Sequence, residues 1–373
     1  MNIDEALLKY DEQSAFKLRS LYRRFGYSMY KMSKFEEYDL YVRNKDFLIS
    51  DSVITFTDTS GKLLALKPDV TLSIINNCKD AAPSVQKVYY NENVYRISGS
   101  SRQFKEIMQT GLECIGDIGL YEKCEVLRLA LASLDIIDCD NVLQVSHIGF
   151  LEAVLESLSI DGFKKEEVME LISSKNSDSV SEFCEKYGYD EKCEATLKLF
   201  CGGFGAVEEA IDALWGVAQT EESRVQLQEF TDILSVLKEN GNDQKIVVDF
   251  SSVSGMKYYS GFVFKGYING IPESVCSGGQ YDKLMKKMNR TSSAIGFAVY
   301  LDALQRFKDM DSGFDVDAVL INDGDIASVI KAAEKLSESG KTVRVCKNIP
   351  ENLRYRKAFK LCGKELVSVN END

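Results

Sequence analysis

The stretch from Phe250 to Asp282, FSSVSGMKYYSGFVFKGYINGIPESVCSGGQYD, constrains the fold more than any other segment. It joins two adjacent tyrosines, Tyr258 and Tyr259, to a strand-like run over residues 262–267 and to a double glycine that precedes Tyr281. Aromatic and β-branched residues favour strands, and a tyrosine combines an apolar ring with a polar hydroxyl. The stretch therefore predicts a hairpin whose tyrosines line a small polar pocket.

The composition is that of an acidic globular protein. Its 373 residues are 45% hydrophobic and 28% charged, which predicts one large domain and something smaller. Lys and Arg number 45 against 58 Asp and Glu, so the net charge is -13. Because nucleic-acid binding draws much of its affinity from phosphate neutralisation, we expect no nucleic-acid partner.

One dense basic cluster lies near the C-terminus. It consists of Arg354, Arg356, Lys357 and Lys360. A run of this kind is typical of a solvated helix face, and that is the interpretation we adopt.

Ten cysteines and a single histidine, His147, limit metal and redox chemistry. None of the cysteines forms a Cys-x-x-Cys pair, so we expect no metal site and no cofactor. Free thiols, together with no visible export signal and no apolar run near eighteen residues, predict a cytoplasmic protein outside the membrane. His147 stands where a helix is expected to begin, with Ser146 as its cap, which favours a structural role.

The N-terminal part of the chain predicts one helix, an extended segment and two β-hairpins. Apolar residues at steps of three and four indicate an amphipathic helix that Gly26 ends. Thr59, Ser60 and Gly61 are typical of a hairpin turn. These elements are expected over residues 4–25, 27–41, 53–67 and 86–116.

Polar residues follow the first hairpin and recur in the second. Asp69 and Thr71 can face one cavity, although a helix-capping role alone explains Asp69 equally well. Strand alternation places Gln109, Gly111 and Glu113 on one face of the second hairpin. Acceptors at this spacing suit a small cationic or amide-like group, and a solvated face remains an equal alternative.

The remainder of the chain predicts a helical insertion and a separate C-terminal unit. Apolar steps of three or four indicate a mostly helical segment over residues 138–242. A linker follows. Beyond it, the patterns of a strand, a helix and a second strand form a βαβ-like unit of about 60 residues. The predicted domains are residues 1–311 and 314–373.

Five segments in this order resemble the class II aminoacyl-tRNA synthetase core, and within it histidyl-tRNA synthetase. They are LKPDVT, NVYRISGSSRQFKEIMQTGLECIG, SGMKYYSG, CSGGQYDKL and AIGFAVYLDAL. The resemblance spans roughly residues 1–310. It implies an α+β fold: an antiparallel sheet of six or seven strands flanked by helices, with a helical insertion and a small C-terminal α/β segment.

The departures from that family fall on the nucleotide side of its active site. The family's motif residues are replaced at Ser98, Ser254, Lys257, Gln280 and Ala303, and those at Ser98, Ser254 and Ala303 read adenine or neutralise phosphate in the family. Three of these positions hold arginine in the family. Because adenylate formation depends on positioning and cationic stabilisation, the chain is expected to be no enzyme and to have no catalytic residues.

The amino-acid side of the pocket is retained. The resemblance implies that Asp69, Thr71 and Gln109 hold the ammonium group of a histidine ligand. Glu113 and Tyr259 match the positions that face the imidazole, and a carboxylate and a phenol can fix its two nitrogens.

Two further residues complete this implied pocket. Tyr258 flanks the imidazole positions, and Arg96 is left to meet the ligand carboxylate. The position of Asp69 holds glutamate in the family, so its reach is shorter by one methylene.

Loss of the ATP residues with retention of an amino-acid pocket resembles the ATP phosphoribosyltransferase regulatory subunits, which are paralogues of histidyl-tRNA synthetase. The resemblance implies a partner, the short catalytic subunit, which this chain activates in the first step of histidine biosynthesis. It also implies feedback by L-histidine, self-association as a dimer and a hetero-octamer. A divergent histidyl-tRNA synthetase and another amino-acid-sensing paralogue remain as alternatives.

Overall fold

A computed structural model describes most of the chain, in two compact units, Met1–Arg306 and Phe307–Asp373. The linker predicted at residues 309–313 lies outside the described residues. The described residues are 8–45, 48, 53–78, 84–97, 103–204, 206–239, 241, 243–253, 259–305, 314–362 and 365–371.

The first unit combines strands from all along its length with a block of helices in the middle. Its strands are β1 (Ser28–Met29), β2 (Phe35–Glu37), β3 (Thr55–Thr57), β4 (Leu63–Leu66), β5 (Gln86–Ile97), β6 (Phe104–Gly116), β7 (Asn141–His147), β8 (Ile246–Val248), β9 (Phe262–Ile268), β10 (Cys276–Gln280) and β11 (Ser293–Tyr300). Its helices are α1 (Tyr10–Arg24), α2 (Tyr38–Arg43), α3 (Val70–Asn77), α4 (Leu120–Ile137), α5 (Ile148–Ser157), α6 (Gly162–Ser173), α7 (Asp178–Tyr187), α8 (Glu191–Gly202), α9 (Val207–Val217), α10 (Glu221–Glu239), α11 (Asp282–Lys287) and α12 (Asp302–Gln305).

Eight of these strands form the central sheet, in the order β1-β5-β6-β11-β10-β9-β7-β8. Its inner pairs are antiparallel, and the short strands β1 and β8 add a parallel pair at each edge. The predicted α+β fold with flanking helices is confirmed. The strand count exceeds the predicted six or seven because two- and three-residue edge strands carry little sequence pattern.

Strand β7 lies at the start of the segment predicted as helical, so that boundary was wrong. Residues 141–147 pair along their whole length with β9, and Leu143 and Val145 are fully buried. A short apolar run fits either a helix or a strand, and here the pairing with β9 decides. The helical insertion begins at α5, and α10 buries the predicted stripe through Leu227 and Phe230.

The two faces of the central sheet differ. One face packs on α1 and α4, where the Tyr22 ring meets Phe297 edge-on at 5.9 Å and Leu134 packs against Gly266. On the opposite face, Glu113 pairs with Gly296 across β6 and β11. Gly111 pairs there with Ala298, so small residues occupy the middle of this face. We call it the polar face.

His147 caps α5 itself, and Ser146 does not, contrary to the prediction. The Phe150 N–H donates to Nδ1 of His147 at 3.1 Å. Because Nδ1 accepts, Nε2 carries the proton and donates to Glu229 at 3.4 Å. Ser146 is still in strand conformation, since β7 continues to His147, and its buried hydroxyl has no hydrogen-bond partner among the residues that the structure describes.

The second unit is a four-stranded sheet with one helix. It contains β12 (Val316–Ile321), α13 (Ile326–Glu338), β13 (Val343–Cys346), β14 (Tyr355–Cys362) and β15 (Glu365–Glu371), in sheet order β13-β12-β14-β15. The predicted strand, helix and strand are β12, α13 and β13.

The basic cluster lies at the start of β14 and along it, so the helix-face interpretation was wrong. Alternation along β14 buries Ala358 while the charged residues stay more exposed. Arg354 pairs with Asp315 at 2.9 Å, and Lys360 pairs with Asp323. No helix in the described part of the chain is long and apolar enough to cross a membrane.

The assignment of the cap predicts a large loss of stability for one of two neighbouring substitutions and almost none for the other. His147→Ala removes the cap and a fully buried ring, so it should lower the free energy of unfolding by about 2–4 kcal/mol. Ser146→Ala removes a hydroxyl that bonds none of the described residues, so its stability should stay within about 0.5 kcal/mol of wild type. Urea unfolding of both variants measures this, and a loss confined to Ser146→Ala would contradict the assignment.

Candidate functional site

A cavity of about 30 Å³ lies between the polar face and the start of α3. Its lining is mostly polar, and it draws on α3, four strands and the segment before β9. The lining residues are Asp69, Val70, Thr71, Tyr90, Arg96, Gln109, Glu113, Tyr259, Ser277, Tyr281, Gly296, Phe297, Ala298 and Tyr300.

Six of the seven residues predicted for a histidine pocket line this one cavity. They are Asp69, Thr71, Arg96, Gln109, Glu113 and Tyr259. The seventh, Tyr258, lies outside the described residues. The structure therefore brings the predicted group together, and its role in binding histidine stays a prediction.

Glu113 lies at the floor of the cavity. The Thr71 hydroxyl donates to one carboxylate oxygen at 2.7 Å, and the Tyr281 hydroxyl donates to the other at 2.5 Å. Burial raises the pKa of Glu113 to about 8, against the two hydrogen bonds that lower it, and Asp69 adds to the increase. Near neutral pH this carboxyl is therefore largely protonated, and a cationic ligand would favour its ionisation.

Glycines on β10 and β11 leave room for two side chains of the cavity. A Cβ at Gly296 would lie 1.8 Å from Oε2 of Glu113, and one at Gly279 would lie 2.7 Å from the Tyr259 ring. The double glycine of the sequence thus lets a tyrosine ring lie directly on the sheet. Without these glycines, neither Glu113 nor Tyr259 could lie over the sheet as it does.

Asp69 combines the two roles that the sequence left open. Its carboxylate accepts from the Leu72 N–H at 2.8 Å, which caps α3, and it also lines the cavity. Burial raises the pKa of Asp69, and the neighbouring Arg96 opposes that increase. The Arg96 guanidinium lies 3.9 Å from Asp69 and donates to the Pro68 carbonyl at 2.9 Å.

The sequence analysis missed three polar residues of the cavity. Tyr90 pairs across β5 and β6 with Gly111, and the hydroxyls of Ser277 and Tyr300 are 2.5 Å apart. Alternation from Gln109 and Glu113 predicts that face, but only the pairing of β5, β6, β11 and β10 puts these three residues together.

The positions that depart from the synthetase pattern are only partly described. Ser98, Ser254 and Lys257 lie outside the described residues. Gln280 donates to Asp282 at 2.6 Å, and Ala303 lies on α12. Arg96 is the one arginine or lysine that lines the described cavity, and no described His, Cys, Asp and Glu side chains cluster as metal ligands would.

The fold and this cavity define a class II aminoacyl-tRNA synthetase-like protein. Residues 3–304 match the family model described as histidyl-tRNA synthetase. The chain belongs to the histidyl-tRNA synthetase family.

The curated relatives carry a more specific name. A protein of Alkaliphilus metalliredigens named ATP phosphoribosyltransferase regulatory subunit is 26% identical over 86% of this chain and 84% of the relative. A protein of the same name in Halalkalibacterium halodurans is 28% identical over 86% of this chain and 82% of the relative. The predicted resemblance to these regulatory subunits is confirmed.

Solved structures show the same architecture. One from Bacillus halodurans C, described as an ATP phosphoribosyltransferase regulatory subunit/histidyl-tRNA synthetase, is 25% identical with a TM-score of 0.72, over 90% of this chain and 88% of that one. A histidyl-tRNA synthetase from Nostoc sp. PCC 7120 is 17% identical with a TM-score of 0.71, over 96% of this chain and 93% of that one. A chain from an ATP phosphoribosyl transferase (HisG:HisZ) complex of Thermotoga maritima is 21% identical with a TM-score of 0.62, over 78% of this chain and 97% of that one. The last two support the fold alone.

The raised pKa of Glu113 predicts a specific pH dependence of stability. Between the ordinary pKa of 4.5 and about 8, the folded protein holds a proton that the unfolded chain has lost. The free energy of unfolding should therefore fall as the pH rises through this range, by up to about 1.4 kcal/mol per pH unit from this group, and level off above it.

Glu113→Gln tests this dependence because the amide cannot titrate. Urea unfolding between pH 5 and pH 9 should show a smaller decrease in this variant than in wild type. Parallel curves for the two proteins would contradict the raised pKa.

Proposed function

We propose that this chain is a non-catalytic regulatory subunit of ATP phosphoribosyltransferase. It activates the short catalytic subunit and mediates L-histidine feedback in the first step of L-histidine biosynthesis. The observation that carries the proposal is the cavity itself, where the polar residues expected of an amino-acid pocket lie together and Arg96 is the one cationic side chain among the described lining residues.

The scarcity of positive charge argues against catalysis on a nucleotide. Adenylate chemistry depends on several fixed cations that stabilise the developing charge on phosphate. The cavity offers Arg96, which already bonds the Pro68 carbonyl and lies beside Asp69. One arginine in these contacts is a poor site for a triphosphate, and this supports a regulatory role.

The remaining groups suit histidine. Glu113 and the Tyr259 phenol can pair with the two imidazole nitrogens, as acceptor and donor. Asp69 and Gln109 offer oxygens to the ammonium group, and Arg96 offers its guanidinium to the carboxylate. Tyr258 would adjoin the imidazole. The alternatives, a divergent histidyl-tRNA synthetase and a sensor for another amino acid, use the same cavity.

The size of the cavity bears on the feedback. A volume of about 30 Å³ has room for about one water molecule, so histidine must displace lining side chains to enter. A ligand that fits only the displaced arrangement of side chains binds that state more tightly than the state with the small cavity. Unequal binding to two states is what an allosteric effector requires.

The proposed assembly combines a dimer of this chain with catalytic subunits in a hetero-octamer. The small sheet β2-β4-β3 exposes apolar side chains that a second copy could cover. Phe35 is 49% exposed and Phe56 is 37% exposed, with their rings 5.3 Å apart, and Leu63 is 45% exposed. The expected location is the cytoplasm, with no cofactor, metal, nucleic acid or membrane.

The test is the activity of a short catalytic subunit with and without this chain. We expect activity to rise when the chain is added and to fall again as histidine is titrated in. Unchanged activity together with no complex by gel filtration would favour the unrelated amino-acid sensor. Histidine-dependent exchange of pyrophosphate into ATP, or tRNA charging, by the chain alone would instead favour the synthetase.

A further inference from the structure

Tyr300 stands at the end of the cavity opposite Glu113. Strand β11 places Gly296, Ala298 and Tyr300 in succession on the polar face, and Glu113 is the cross-strand partner of Gly296. Tyr300 is four residues further along β11, roughly 13 Å from that pair. Its own partner is Gln109, which is proposed to hold the ammonium group. Tyr300 therefore lies at the end of the proposed pocket that takes the ammonium and carboxylate groups.

This end of the cavity is its mouth. Glu113 and Tyr281 are each 2% exposed, so the proposed imidazole end is closed. Ser277, Ala298 and Tyr300 are partly exposed, so the cavity meets solvent beside them. A ligand that enters with its imidazole first leaves its carboxylate next to Tyr300.

The Tyr300 ring covers this mouth. Its hydroxyl is 2.5 Å from the hydroxyl of Ser277, which is the cross-strand partner of Ala298. The ring therefore leans back along β11 over Ala298, whose small side chain leaves room for it. Burial raises the pKa of Tyr300, against the Ser277 hydrogen bond and the Arg96 charge, which lower it. The phenol is therefore neutral near neutral pH and can donate to a carboxylate.

A single hydrogen bond holds the ring in this position. Within the described part of the chain, the Tyr300 hydroxyl bonds Ser277 and no other residue. Glu113, by contrast, accepts two hydrogen bonds at the closed end of the cavity. One bond between neutral hydroxyls at a solvent-facing position is weak. Tyr300 can therefore move aside more readily than Glu113 when a ligand enters.

We propose that Tyr300 closes over the carboxylate end of the bound ligand and so selects a free α-amino acid. A group attached to that carboxylate, as in an amide, an ester or an acyl adenylate, occupies the space to which the ring returns. The chain thereby senses free histidine and discriminates against its activated or conjugated forms. The proposal rests on the amino-acid pocket proposed above, and it makes Tyr300 the residue that determines specificity at one end of it.

The test compares two amides that carry the same charge and differ in bulk. L-Histidinamide ends in an NH2 group, and L-histidine β-naphthylamide carries a naphthalene ring at the same place. Calorimetric titration of the full chain should show that the naphthylamide binds about ten-fold or more weakly than histidinamide, because overpacking a closed position is costly. L-Histidine is titrated alongside as the ligand with a free carboxylate.

Substitutions assign the discrimination to the ring. Tyr300→Ala removes the ring, so the affinities of the two amides should come to within about three-fold of each other. Tyr300→Phe keeps the ring and loses the hydroxyl, so its ratio of affinities should stay close to that of wild type. Tyr121→Ala, which removes an exposed tyrosine on α4, is the matched control. If Tyr300→Ala fails to fold, Tyr300→Val carries the same prediction, because a β-branched residue suits a strand.

Three results would overturn the proposal: equal affinities of the two amides in wild type, an unchanged ratio in Tyr300→Ala, or no binding of either amide to any variant. Activation of the catalytic subunit, with histidine titrated in, is a separate measurement. A chain that passes it but does not discriminate between the amides keeps the proposed function and loses the role of Tyr300. Discrimination without activation keeps the role of Tyr300 and loses the regulatory function.

Discussion

The site depends on a carboxyl group buried against a sheet. Glu113 can lie there because its cross-strand partner is Gly296, where any side chain would collide with the carboxylate. Thr71 from α3 and Tyr281 from the end of β10 both donate to it. Thr71, Glu113 and Tyr281 lie far apart in the chain. Their hydrogen bonds therefore hold α3, β6 and the end of β10 together. The cavity is the space left above it.

The cavity is asymmetric in charge. Acidic and neutral polar groups surround the position proposed for an amino acid, and Arg96 is the single cation among the described residues that line the cavity. Since nucleotide chemistry needs several cations and amino-acid recognition needs few, this asymmetry supports the proposed sensor over an enzyme that acts on a nucleotide.

The sequence predicted which residues share a cavity better than it predicted the elements around them. Motif order and strand alternation brought Asp69, Gln109 and Glu113 together, because alternation is a local property of one strand. The sequence analysis missed strand β7 and placed the basic cluster on a helix instead of on β14. A short run can fit either a helix or a strand, and pairing with strands distant in the sequence determines which one forms. The cap at His147 was assigned one residue too early for the same reason: β7 extends further than the local pattern indicates.

The most direct measurement is a calorimetric titration of the purified chain with L-histidine and, separately, with ATP. The account predicts saturable one-site binding of histidine and no measurable binding of ATP at the same concentrations. Binding of ATP with affinity equal to or greater than that of histidine would contradict the claim that the nucleotide side is lost. Binding of neither would contradict the claim that the amino-acid side is retained.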